Sequence, residues 1–385
     1  MSSDTPGPGN DVFAVVTGGG TAGHVLPALA IAEGLVARGH RPDEIHYVGA
    51  RRGIETRLLP PTPFPHTFFD VTGFQRSLKP SNLVMPFKLL RAVVQAWRLL
   101  GRLRPKVVVS VGGYASLAAT LAARLRRIPI VVVSYDKRPG RASQLQARFA
   151  EVCATGFDGM PLPRAVHTGS PLRQAILTVD RTRDRAGARA TLGLPADRFV
   201  IAVFGGSQGA GLLNSVTSAF VSTHADRADL AVRHIVGERF VSQASPPKSS
   251  ESGILYQVIG YEDQMPQVYA AADLMLVRGG ASTIGELSAV GVPAVIVPWA
   301  LAADDHQTVN AAILADHGGA ISIPEADFTA ARFTAEVQRL IGDPAQLAEL
   351  ARHAFEQGVA HRSGRLVELI DAVGAGHWNG AEVGR

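Results

Sequence analysis

The sequence predicts an α/β protein of two doubly wound domains, each a parallel sheet covered by helices on both faces. Three observations carry this expectation. Short β-branched runs alternate with stretches of helical spacing, the alternation starts afresh in the second half, and glycine-rich turns follow three of the runs where a helix begins. The first series is FAVVT, EIHYVG, KVVVSVG and IPIVVVSY, with helical stretches over 25–38 and 83–103. The second is RFVIAVFGG, LAVRHIVG, ILYQVIGY, DLMLVRGG and PAVIVPW. Glycine, serine and proline interrupt the pattern at HTGSPLR, which puts a first domain at 1–170 and a second at 171–373, whose last helix can pack back on the first. The glycine-rich tail, 374–385, is expected to be loose. ASPPKSSESG, 244–253, reads as a surface loop because strands of one sheet continue past it.

Composition narrows the function. A chain of 385 residues with apolar residues along its whole length can build two cores. Residues 1–170 carry a net charge of +11 and the remainder −6, so the basic half suits an anionic lipid, a nucleic acid or a phosphorylated substrate, or simply solubilises the fold. Cys153 stands alone, which rules out an internal disulfide and fits a reducing compartment. The start, MSSDTPGPGND, lacks the features of a signal peptide, and no run reaches the ~18 apolar residues of a spanning helix. A soluble or peripheral protein is expected.

The turns carry the chemistry. Gly18, Gly19, Gly20 and Gly23 join the first strand to a helix; Gly205, Gly206, Ser207 and Gly209, then Gly279 and Gly280, repeat the device. Such a turn either lets a helix pack closely on its strand or aims backbone N–H groups at an anion. The first turn departs from G-x-G-x-x-G, and the second strand ends in VGARRG without the acid that would hold a ribose, so a dinucleotide site is disfavoured. The stretch RGGASTIGE is better suited to a nucleotide. Ala281 to Glu286 opens a helix whose N–H groups and Ser282 and Thr283 hydroxyls can meet a diphosphate, and Glu286 can accept both hydroxyls of a ribose. Glu286 also fits a plain helix N-terminal charge. The adjacent acids Asp304 and Asp305 have no supporting ligand cluster, and no metal is expected.

Taken together, GGGTAGHVLPALAIA (18–32), GGY (112–114), GSPLR (169–173), FGGSQGAGLLN (204–214), RGGASTIGELSAVGVPAVIVP (278–298) and DDHQTVNA (304–311) resemble, in order, the motifs of the MurG family. The resemblance runs from about residue 12 to about 370. It implies the two-domain GT-B fold and inverting transfer of N-acetylglucosamine from UDP-N-acetylglucosamine to the lipid-linked muramyl-pentapeptide of peptidoglycan synthesis, in the cleft between the domains. No cofactor and no nucleic-acid partner are implied. By this resemblance Ser207 and the turn Ala281, Ser282, Thr283, Ile284, Gly285 and Glu286 hold the UDP diphosphate and ribose. Arg173 lies near the donor, Gln307 binds the sugar hydroxyls and Asn310 supports that loop. Thr21, Ala22 and Gly23 cover the donor from the opposite wall, and Tyr114 and Asp136 stand on the acceptor side. His24 is the candidate base, its resting pKa being suited to taking a proton near neutrality; a histidine at a helix start also serves as a structural hydrogen bonder.

Two departures from the family pattern bear on the acceptor and the base of the donor. Val133, Ser134, Tyr135 and Asp136 replace the usual His-Glu-Gln-Asn, and Glu262 replaces an apolar residue beside the uracil. Lys137, Arg138 and Arg141 can offset the charge of Asp136. Another lipid-phosphate or natural-product acceptor, a UDP-N-acetylglucosamine 2-epimerase activity, or UDP-sugar binding without turnover are the alternatives. Apolar and basic residues mix over 77–106, and Leu83 to Leu90 with Lys79, Lys88 and Arg91 are expected to meet an anionic membrane at the cytoplasmic face, with Arg91 to Arg104 belonging to a core helix.

Overall fold

The computed structural model describes residues 12–71, 85–206, 209–243 and 253–380. The chain divides into two compact units, one formed by residues up to Gln174 together with those from Ser363 onward, the other by Ala175–Arg362.

In the first unit, β1 (Ala14–Thr17), β2 (Ile45–Ala50), β3 (His66–Phe69), β4 (Val107–Ser110), β5 (Ile130–Ser134), β6 (Val152–Thr155) and β7 (Ala165–His167) form one sheet. Its order is β3-β2-β1-β4-β5-β6-β7, with every pair parallel. β1, β2, β4 and β5 are buried at every residue, so they read as mainly apolar runs, interrupted by His46 and ended by Thr17, Ser110 and Ser134, rather than as alternation. β3, β6 and β7, absent from the expected series, are three or four residues long and include His66, Thr67, Cys153, Thr155 and His167, too short and mixed to stand out.

Strand order reverses between β1 and β4, and a crevice opens at the carboxyl ends of strands at such a point. Two glycine turns meet there. Gly20, Gly112 and Gly113 have φ of 94°, 107° and 93°, and a methyl on Gly113 would lie 2.6 Å from the Gly19 carbonyl oxygen. Only residues without Cβ let the turns approach this closely.

The helix Ala22–Ala37 follows the first turn, three residues earlier than its apolar periodicity suggests. The helix Arg365–Gly374 packs against it. Asp371 accepts from Arg38 Nε and pairs with His40 Nε2, both at 2.7 Å, and a methyl on Gly34 would meet Val367 at 2.8 Å. The tail expected to be loose from 374 is held at its start: Gly374 sits on Phe13 and Val107, and the His377 N–H donates to Ala372 O at 2.9 Å.

The helix Met85–Leu103 has two apolar faces. Ala92, Ala96, Leu99, Leu100 and Leu103 join the core, whereas Phe87, Leu90, Val94 and Trp97, spaced three and four apart, are 73%, 62%, 41% and 43% exposed. The apolar stripe therefore runs on to Trp97, into the part read as a pure core helix, and Leu89, read as lipid-facing, packs on the core instead. Lys79, Leu83 and Val84 lie outside the described residues.

The second unit repeats the scheme. β8 (Phe199–Phe204), β9 (Leu230–Ile235), β10 (Leu255–Ile259), β11 (Leu274–Val277), β12 (Ala294–Ile296) and β13 (Ile321–Ser322) are ordered β10-β9-β8-β11-β12-β13, all parallel. The reversal falls between β8 and β11, and the turns after these two strands are the two glycine-rich motifs of this half. Phe220, Phe333 and Phe328 anchor its core in tilted and edge-on contacts.

Candidate functional site

In each unit the glycine-rich turns stand at the strand-order reversal, and each of these sites is built differently.

In the first unit, His24 sits in the first turn of the helix Ala22–Ala37, with its Nδ1 3.1 Å from Thr21 Oγ1. A methyl on Gly112 would lie 2.8 Å from its Cδ2 and 3.0 Å from its Nε2, so the imidazole lies against the bare Cα of the second glycine turn. Burial lowers its pKa from the ordinary 6.5, while Asp136 and Glu55 pull it back up. Thr21 and Gly23 are exposed beside it. Ala22 opens the helix and Tyr114 opens the helix Tyr114–Leu125, their side chains lying outside the described residues.

The departing segment after β5 divides between core and site. Val133 and Ser134 are the buried end of β5, and Tyr135 is buried with its hydroxyl donating to the Gly23 carbonyl, which braces the start of the His24 helix. Asp136 is half-buried and its charge reaches His24. Lys137 donates to the Asp158 carbonyl. Arg173 is exposed and lies 3.7 Å from Glu33 of the Ala22–Ala37 helix, so it belongs with the first unit rather than with the second, where the boundary at 171 had put it.

Glu55 went unrecognised in the sequence. It is fully buried and accepts the backbone N–H of Ala50 at 2.6 Å and of Gly20 at 3.2 Å. As a lone acid at the start of a short helix it resembles any favourable helix N-terminal charge. The glycines at 49 and 53 were the available signal.

In the second unit, the helix Ala281–Val290 begins at Gly280 without a side-chain cap, so Ala281, Ser282 and Thr283 present first-turn N–H groups at the carboxyl end of β11. Ser282 and Thr283 are half-buried, and Ile284 and Gly285 are buried behind them. Glu286 is half-buried and Oε2 accepts from the Tyr269 hydroxyl at 2.6 Å. Tyr269 is fully buried, and its pKa is pushed well up by that burial and by the Glu286 charge, so it remains a donor.

The turn before this helix is clamped. A methyl on Gly279 would lie 2.3 Å from the Gln307 carbonyl oxygen, and buried Asn310 donates Nδ2 to Gly279 O at 3.2 Å. Gln307 Oε1 accepts the Trp299 N–H at 2.9 Å, which orients its carboxamide with the NH2 as the remaining donor end. Arg278 is buried, donating to Val297 O at 3.0 Å and to Glu325 Oε1 at 2.6 Å; Glu325 Oε2 in turn accepts the Ala300 N–H at 2.8 Å. Asp304 and Asp305 are exposed with φ of 54° and 52°, and Thr308 donates to Asp305 at 2.6 Å. Ser207 lies outside the described residues. Glu262 is internal: it pairs with Arg233 at 2.6 Å and accepts the Gln264 N–H at 2.9 Å.

Comparison with known proteins follows the same division. The glycosyltransferase family 28 N-terminal domain matches residues 14–155 and the family 28 C-terminal domain matches residues 200–365. The chain is similar to the UDP-N-acetylglucosamine–N-acetylmuramyl-(pentapeptide) pyrophosphoryl-undecaprenol N-acetylglucosamine transferase of Acidothermus cellulolyticus, 39% identical over 94% of this chain and 98% of that one. The transferase of the same name from Paenarthrobacter aurescens is 38% identical over 97% of this chain and 100% of that one. Among solved structures, Acinetobacter baumannii MurG superposes with a TM-score of 0.71 at 28% identity, covering 93% of this chain and 99% of that one.

Proposed function

Because the chain belongs to glycosyltransferase family 28, and within it to the MurG transferases, we propose that it transfers N-acetylglucosamine from UDP-N-acetylglucosamine to N-acetylmuramyl-(pentapeptide) pyrophosphoryl-undecaprenol, lipid I, with inversion. The near-full-length identity with transferases of that name carries the reading. The acceptor hydroxyl attacks the anomeric carbon, the bond from that carbon to the diphosphate breaks, and UDP leaves with the electron pair. His24 takes the hydroxyl proton. In the tautomer that donates Nδ1–H to Thr21 Oγ1, Nε2 carries the lone pair that takes the proton, and the lowered pKa favours the neutral imidazole at physiological pH. The N–H groups of Ala281 to Thr283 and the hydroxyls of Ser207, Ser282 and Thr283 stabilise the charge growing on the diphosphate, Glu286 holds the ribose and Gln307 the sugar hydroxyls. Asp136 and Tyr114 serve the acceptor.

Incubating the purified protein with labelled UDP-N-acetylglucosamine, with and without lipid I, tests this. Labelled lipid product is expected only when lipid I is present. Free sugar or an epimer formed from the UDP-sugar alone would instead indicate the epimerase reading, and tight donor binding without transfer to lipid I would indicate another acceptor.

The acceptor is lipid-linked, and the protein is proposed to meet it as a peripheral protein at the cytoplasmic face of the membrane. Among the described residues no helix is long and apolar enough to cross a membrane. The exposed stripe Phe87, Leu90, Val94 and Trp97 is flanked by exposed Arg91, Arg98 and Arg102, and Arg126 lies 4.0 Å over the Trp97 ring. Apolar insertion beside cations is the combination an anionic bilayer surface favours, each cation contributing about 1 kcal/mol at low salt. Sedimentation with anionic vesicles should fall as salt rises and fall further in Phe87→Glu/Trp97→Glu, whose positions are solvent-facing. Equal sedimentation with neutral vesicles removes this face from the membrane.

A further inference from the structure

Glu55 opens the short helix Glu55–Leu58 after β2 and is completely buried. A carboxylate withdrawn from water needs hydrogen bonds or a partner. Glu55 finds backbone: Oε1 accepts the Ala50 N–H at 2.6 Å, and both oxygens lie 3.2 Å from the Gly20 nitrogen. Room for it comes from missing side chains. A methyl on Gly19 would lie 2.6 Å from Oε1, one on Gly49 2.9 Å from Cγ, and one on Gly53 1.9 Å from Oε2. Glycines from the β1 turn, from β2 and from the loop after it thus enclose one carboxylate. The Gly20 N–H, of the kind that a glycine-rich turn offers to a phosphate, is taken by the protein's own anion.

We propose that Glu55 is a positioning residue of the transfer, a resident anion whose backbone bonds lock the turn carrying His24 and whose charge acts on the imidazole. This rests on the reading of His24 as the base. The charges acting on His24 come from two elements, Glu55 after β2 and Asp136 after β5; both favour the imidazolium, against burial, which disfavours it. Tyr47 and Tyr135 brace the same turn, donating to the carbonyls of Gly18, at 2.6 Å, and of Gly23, and burial holds both hydroxyls protonated. Glu55 and Asp136 therefore set how far the His24 titration falls below the ordinary histidine range, and loss of either charge lowers it further.

The test follows the His24 imidazole by NMR over pH in the full chain, alongside the pH profile of kcat/KM, in wild type, Glu55→Gln and Glu55→Asp, with His24→Ala identifying the signal. In Glu55→Gln, His24 is expected to titrate lower by about half a unit or more. The acid limb of kcat/KM should move to lower pH with it, and Glu55→Asp, which keeps the charge, should restore most of both. A His24 titration unchanged in Glu55→Gln overturns the proposal, whatever happens to Tm. A shifted titration with an unmoved acid limb shows that the Glu55 charge reaches His24 but removes His24 as the base, and with it the role of Glu55 in the transfer. Should Glu55→Gln fail to fold, Gly53→Ala replaces it: its methyl would meet Oε2 at 1.9 Å, the carboxylate must withdraw, and an unshifted His24 again overturns the proposal.

Discussion

Replacing His24 with alanine is expected to lower kcat by about 10²–10⁴-fold, the range for loss of a positioned general base. KM for UDP-N-acetylglucosamine should change little, because the groups proposed to hold the UDP moiety stand on the second unit. The wild-type pH profile carries a second part of the same expectation. Burial depresses the His24 pKa below 6.5, so the neutral, proton-accepting form persists below that pH and the acid limb of kcat/KM should fall at a pH lower than for a solvent-exposed histidine. His24→Gln keeps a hydrogen-bonding side chain but cannot accept the proton as a base, and should be nearly as slow as His24→Ala. A His24→Ala enzyme within threefold of wild-type kcat, a span of about 0.6 kcal/mol in barrier, would show that the proton leaves by another route.

Glu286→Ala is expected to weaken UDP binding by about 1–3 kcal/mol, the loss for a charged hydrogen bond to a ligand hydroxyl, read as a roughly 5- to 150-fold rise in Kd by calorimetry. The structure adds a cost to folding that the sequence does not suggest. The buried Tyr269 hydroxyl donates to Glu286 Oε2, and the alanine leaves that donor without its acceptor, an expected loss of about 1–3 kcal/mol of stability. Tyr269→Phe in the Glu286→Ala background removes the stranded hydroxyl and should recover stability without recovering UDP affinity. Equal UDP affinity in wild type and Glu286→Ala would take Glu286 out of the donor site.

By itself the sequence determined the α/β class, nine of the strands and the glycine turns that end three of them. Buried parallel strands are apolar at most positions, and a turn that must bring backbones into contact admits only glycine, so both constraints act on residues close together in the chain. The family, and with it the candidate roles of His24 and Glu286, was legible for the same reason, since each sits just beyond such a turn, whereas Gln307 was legible only through the DDHQTVNA motif. Only the tertiary structure decided what the remaining polar residues do. Glu262, read as a change beside the uracil, is spent on Arg233; Tyr135, read as a change on the acceptor side, braces Gly23 from 112 positions away. Leu89 turns inward while Trp97 turns out, because the 3.6-residue period over a helix with two apolar faces does not say which face meets the sheet. Glu55 acquires its place from Gly49 and Gly53 just before it and from Gly19 in the β1 turn. The neighbouring glycines mark a crowded backbone, but the Gly20 N–H that helps hold the carboxylate comes from 35 positions away, which the local pattern does not show.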